Sequence, residues 1–71
     1  MDLQKRLAAA PFEGRLLYDT LSAARLLDTT ERRIHELRRA GVLAAVMDGR
    51  KYKFTAEELR RYVDHLPPYE P

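Results

Sequence analysis

The chain reads as a mainly α domain carrying one β-hairpin, and three features of its sequence predict this. Apolar residues recur at helical spacing between Thr20 and Ala40 and again between Ala56 and Leu66. Between those stretches, across Val42–Phe54, the period drops to two around the pair Asp48-Gly49. Capping and stopping residues bracket each helical stretch. At 71 residues there is room for one domain with a thin core. Its expected parts are an N-terminal arm or short helix (1–14), a folded unit (15–66) and a C-terminal tail (67–71).

The arm is expected to be helical over Asp2–Ala10, with Leu3, Leu7 and Ala10 on one side. Pro11 ends it, because proline lacks an N–H and constrains the residue before it. Leu16, Leu17 and Tyr18 form an apolar lead-in. Asp19 is an N-cap for a first helix over about Thr20–Leu27, whose expected core stripe is Leu21, Ala24 and Leu27. Ala23 and Ala24 are small enough to let another helix cross closely.

The turn falls at Asp28-Thr29, where aspartate can occupy the left-handed region at moderate cost. Thr30 caps a second helix over about Glu31–Ala40, and Gly41 is a suitable C′ residue. Ile34 and Leu37 are its expected buried positions, with Ala40 close by. A strand over Leu43–Met47, a turn at Asp48-Gly49 and a return strand over Arg50–Phe54 then make the hairpin. Alternation places Tyr52 and Phe54 on its core face and Lys51 and Lys53 on the other. Thr55 and Glu58 form a capping box for a last helix over about Ala56–His65. Its expected core stripe is Leu59, Tyr62, Val63 and Leu66, and Pro67-Pro68 stop it.

Charge is uneven. The net value is only +2, yet Arg32–Lys53 holds seven basic residues against two acidic, and the rest of the chain six against nine. A basic block on an otherwise acidic chain suits a phosphate-facing surface. There is no cysteine, which removes disulfides and thiolate metal sites. No apolar run approaches the ~20 residues of a membrane helix, and the N-terminus is not a secretory signal, so the expected location is cytoplasmic. Two histidines thirty positions apart and no paired-acid pocket give no metal or nucleophile constellation. No catalysis and no cofactor are expected.

A helix of about 10–12 Å diameter fits a major groove of about 12 Å, so the basic second helix can reach base edges of double-stranded DNA. Thr30, Arg32, Arg33 and Glu36 lie along its N-terminal half. Arginine forks match guanine, and glutamate accepts from the cytosine amino group. His35, Arg38 and Arg39 are expected toward phosphates, although Arg38 and Arg39 also suit the dipole of a last helical turn. Arg50, Lys51 and Lys53 give the hairpin a basic tip and flank, for a neighbouring groove or phosphates.

Three segments carry a family resemblance: S-A-A-R-L-L-D-T-T-E-R-R-I-H-E-L-R-R-A-G, V-M-D-G-R-K-Y-K-F and T-A-E-E-L-R-R-Y-V. From about Leu17 to Leu66 the chain resembles the winged helix-turn-helix of the excisionase and MerR-like group. Three positions depart from that group: Asp28 stands for a usual glycine, Thr29 for a valine and Arg33 for a small threonine. The resemblance implies a phage excisionase, or recombination directionality factor. Such a protein bends attachment-site DNA, helps a phage integrase toward prophage excision and often binds neighbouring sites head to tail. MerR-type activators usually carry a dimerising helix and effector pocket after the wing. A chain stopping at Pro71 leaves room for neither, which favours the directionality role. Two alternatives stand beside it: a small MerR-like regulator or repressor, and a protein–protein adaptor meeting an acidic partner.

Overall fold

The structure, a computed structural model, describes residues 14–71. The expected helix Asp2–Ala10 lies outside the described residues. The elements are β1 (Leu17–Tyr18), α1 (Thr20–Leu26), α2 (Glu31–Arg39), β2 (Val46–Asp48), β3 (Lys51–Thr55) and α3 (Ala56–Asp64). Among the described residues, three helices and a small antiparallel sheet form a winged helix-turn-helix.

All three helices begin on the expected caps. Asp19 accepts from the Ser22 N–H at 2.8 Å, Thr30 from the Arg33 N–H at 3.1 Å and Thr55 from the Glu58 N–H at 3.0 Å. Each bond satisfies a donor that the first helical turn leaves open.

The first two helices, α1 and α2, also stop alike. Asp28, with φ +56°, sits left-handed after α1, and Gly41, with φ +75°, does so after α2. At the first stop Thr29 donates to the Ala24 carbonyl and Asp28 to that of Arg25. At the second, Val42 donates to Leu37 and Gly41 to Arg38. Both are Schellman closures, one on aspartate and one on glycine. The tight turn therefore forms in spite of the missing glycine.

The core is Tyr18, Ala23, Ala24, Ile34, Leu37, Leu43, Phe54 and Leu59. The two alanines of α1 are buried, so α2 crosses it closely through Ile34 and Leu37. Several expected core positions are not buried. Leu21 is 42% exposed, because α1 turns Ala23 and Ala24 inward and leaves Leu21 at its outer edge. Ala40 is exposed as the C-cap of α2. Val63 and Leu66 are exposed and line a surface groove with Leu27, Leu37 and Tyr62. The core face of α3 is thus Leu59, with Ala56 and Tyr62 packed at its margin.

The sheet has three strands in the order β1-β3-β2, all antiparallel, rather than the two of a simple hairpin. β1 pairs Leu17 with Thr55 and Tyr18 with Phe54, bringing the lead-in against the return strand. The first hairpin strand starts at Val46, later than the expected Leu43. Leu43 is instead fully buried, and its N–H turns back to the Leu37 carbonyl. The Ala44 N–H donates to Glu58 Oε2 at 2.9 Å, which holds that stretch against α3 rather than in the ladder. The loop shifts too: Asp48 pairs with Lys51 inside the ladder, leaving Gly49-Arg50 as the connecting residues. Only Gly49 of these two has positive φ (+67°), the φ signature of a type II′ turn, which places glycine first.

Candidate nucleic-acid interface

Helix α2 divides by face. Ile34 and Leu37 point into the core, which sends Arg32, Arg33, Glu36 and Arg39 to solvent. The Arg32 side chain is 89% exposed. Glu36 lies between the first two arginines, with carboxylate oxygens 3.5 Å from Arg32 Nε and 3.6 Å from Arg33 Nη1. These are loose, wet ion pairs, each contributing about 0–1 kcal/mol. A phosphate or a base edge can replace the carboxylate at little cost. Arg39 forms no ion pair among the described residues.

Of the remaining polar residues along α2, Thr30 and Arg38 have partners within the fold. The Thr30 hydroxyl accepts from the Arg33 N–H as the N-cap, though its own proton stays available to donate. His35 is half-buried, and its Nδ1 is covered without a hydrogen-bond partner. Arg38 is half-buried and lies with its guanidinium 4.0 Å from the centre of the Tyr52 ring.

On the wing, Arg50 occupies the loop and Lys51 the first position of β3, both exposed. Lys53 is drawn to Asp48, with Nζ 3.3 Å from Oδ2, and is largely covered. The charged side of the wing also faces the start of α1. Asp19 has its carboxyl held below the ordinary carboxylate value, first by the Ser22 hydrogen bonds and further by the nearby Lys53 and Lys51. A groove runs between these parts, lined by Asp19, Thr20, Leu21, Glu31, Arg50, Lys51 and Tyr52.

The ten residues expected at the interface therefore separate into two sets. Arg32, Arg33, Arg39, Arg50 and Lys51 present exposed cations that are unpaired or only loosely paired. Thr30, Arg38 and Lys53 are engaged within the protein; with them fall His35, which is half-buried, and Glu36, which is only loosely paired. Tyr52, expected in the core, is 44% exposed at the seam between α2 and β3. Its place was hidden in the sequence because alternation assigns it to the core face, whereas the core reaches only as far as Phe54.

The model of a helix-turn-helix domain family matches residues 17–66. The chain belongs to that helix-turn-helix domain family. DNA is its partner, and families of this kind are typically without catalysis. No curated protein and no solved structure matches the chain. Among the described residues, no group of three or more His, Asp or Glu side chains is placed to hold a metal ion. No described helix of this domain is long and apolar enough to cross a membrane.

Proposed function

We propose that this helix-turn-helix domain binds double-stranded DNA sequence-specifically as an excisionase-like recombination directionality factor. The observation that carries the binding mode is the open set of five cations, three along α2 and two at the wing tip. Helix α2 enters the major groove with Arg32, Arg33 and Glu36 toward base edges, Thr30 at its start and Arg39 toward the backbone. Arg50 and Lys51 reach the next groove or its phosphates. His35, Arg38 and Lys53 line the same surface nearer to the protein. Residues 15–66 are the DNA-binding unit, with 1–14 and 67–71 as arm and tail.

The resemblance of the helix–wing–helix segments supports the biological role. In that role the protein bends attachment-site DNA, meets a phage integrase and lines up head to tail with further copies on adjacent sites. A helix and a wing engaging neighbouring grooves suit a deformed duplex, because added contacts offset the bending energy.

Footprinting on a host attachment region, with a gel bending assay on each protected site, tests the role. Protection and bending beside the integrase sites are expected. Protection confined to a promoter, without bending, assigns the protein to transcriptional regulation instead. A salt series tests the binding mode: about three phosphates, neutralised by Arg39, Arg50 and Lys51, give a log–log slope of about −3. A flat response sinks the DNA reading and favours an acidic protein partner.

A further inference from the structure

Arg38 differs from every other arginine of α2. Its guanidinium carbon lies 4.0 Å from the Tyr52 ring centre, well inside the ~6 Å within which a cation is attracted to an aromatic face. Its Nε is buried and has no hydrogen-bond partner among the described residues. A surface arginine free to turn gives that N–H to water, so here the group is held flat against the protein. Tyr52 is the matching exception in the sheet. It is 44% exposed, while Tyr18 and Phe54 are 3% and 0% exposed. Its ring adds little to the core and supplies a face for Arg38 instead.

The contact joins two parts that are otherwise weakly tied. β2 has three residues, all exposed, and pairs only with β3, so the wing tip hangs from a short ladder. Short two-stranded ladders are marginal in water without packing on one face. Tyr52 pairs across the ladder with Met47 and adjoins Lys51. Arg38 sits in the last turn of α2, on the helix that carries Arg32 and Arg33.

We infer that Arg38 is a positioning residue for DNA binding, fixing the wing against α2 through the Tyr52 ring. Arg50 and Lys51 then meet the same duplex as Arg32 and Arg33 without first being ordered. The inference rests on the reading of α2 and the wing as the DNA surface. Ordering a loose segment on binding costs affinity, and a wing held in place beforehand avoids that cost. Planarity suits arginine to this task, since its face stacks on an aromatic ring.

The test is a double-mutant cycle in the full chain, using Arg38→Met and Tyr52→Leu, with Tyr52→Phe as the conservative variant. Affinity is measured for a 30-base-pair duplex of randomised sequence, and amide hydrogen exchange is followed in the free protein. Each single change is expected to weaken binding by about 2- to 30-fold, the range that one cation–aromatic contact covers. The double variant should lose no more than the worse single one, and Tyr52→Phe should stay within about twofold, since its ring face is kept. Exchange at Val46 and Lys53, the pair that faces across the ladder with its N–H groups inward, should quicken in both single variants, while the amides of α1 and α3 keep their rates. Losses that multiply in the double variant overturn the inference. So does a loss in Arg38→Met that Tyr52→Leu does not share, which makes Arg38 a phosphate contact. Unchanged hairpin exchange overturns it as well. If the wild-type chain fails to bind the duplex, the DNA reading itself has failed and this role falls with it. A wild-type chain that binds while the cycle is additive defeats the inference alone.

Discussion

The tetrapeptide Glu-Leu-Arg-Arg occurs twice in this chain, as 36–39 in α2 and as 58–61 in α3. The leucines do the same job, since Leu37 and Leu59 are both buried. The charges do not. In α3 the glutamate is the third residue of a capped helix, and its side chain is only 16% exposed. Glu58 accepts from Arg61 Nε at 2.8 Å, from Arg61 Nη2 at 2.6 Å and from the Ala44 N–H at 2.9 Å. Arg61 in turn donates to the Val42 carbonyl at 2.8 Å. This closed network fastens the link between α2 and the wing onto α3. In α2 the glutamate stands mid-helix, and Glu36 reaches back to Arg32 and Arg33 at 3.5 and 3.6 Å without forming a hydrogen bond. Arg38 lies on Tyr52, and Arg39 forms no ion pair among the described residues. One glutamate is thus closed into the fold, while its counterpart leaves Arg32 and Arg33 only loosely held and open to a partner. Charge count alone says nothing about which is which; the hydrogen-bond partners decide.

The largest expected effect tests the part the two copies share. Leu59→Ala and Leu37→Ala should each cost about 2–5 kcal/mol in a urea titration, the usual range for a buried leucine. In a domain of this size that approaches the whole stability. If Leu37→Ala cost only a few tenths of a kcal/mol, the two helices would not be packed alike.

The glutamates should then separate. Glu58→Gln is expected to lower stability by about 1–3 kcal/mol, because it weakens charge-assisted bonds to a guanidinium and a backbone N–H. Its pH signature follows from the same contacts. The Arg61 hydrogen bonds, and after them the Ala44 N–H, hold the Glu58 carboxyl below its ordinary 4.5, against the opposing effect of burial. A carboxyl lowered in the folded state stabilises fully above that ordinary value and loses its contribution as pH falls through the folded value. Wild-type protein should therefore lose stability in the acid range below 4.5, and Glu58→Gln should show a flatter curve there. The mirror change, Glu36→Gln, should move stability by less than about 0.5 kcal/mol. It should tighten binding to random duplex by up to about fivefold, by releasing Arg32 and Arg33 from a competing carboxylate. A larger stability loss for Glu36→Gln than for Glu58→Gln would reverse the assignment of the two networks.

The contrast also shows how far a sequence carries. Caps are legible, because Asp19, Thr30 and Thr55 act on N–H groups three residues away, and that chemistry is local. The stop at Asp28 is legible for the same reason. The fate of Tyr52 is not, since alternation fixes its side of the sheet but not where the core ends. β1 escapes too: two residues have no period, and their partners, Phe54 and Thr55, lie far along the chain. The late start of β2 depends on Leu43 being buried and on Ala44 meeting Glu58, which no local pattern announces. At the candidate interface, the residue types were readable and their commitments were not. Lys53 and Arg50 look equivalent in sequence, yet one pairs with Asp48 and the other stands exposed in the loop.

Single arginines give a smaller effect with a sharper readout. Arg39→Ala and Arg50→Ala should leave stability within about 0.5 kcal/mol and reduce the salt slope of duplex binding by about one unit each. A slope that does not change would remove that arginine from the phosphate-facing set.

The smallest expected effect belongs to Arg60, the α3 counterpart of Arg38. Both follow a buried leucine and precede a second arginine, so sequence gives them equal claims. Arg60 Nε lies 3.4 Å from Asp64 Oδ1, and both side chains are more than half exposed. An i,i+4 pair of this kind contributes about 0.3–0.5 kcal/mol at most. Arg60→Met should therefore shift the thermal midpoint by no more than about 4 °C, leave hairpin amide exchange untouched and bind duplex as tightly as wild type, with the same salt slope. Arg38→Met, with the same charge and the same atoms removed, should quicken hairpin exchange and weaken duplex binding. If Arg60→Met weakens duplex binding as much as Arg38→Met does, the loss reflects net charge alone, and Arg38 has no positioning role through Tyr52.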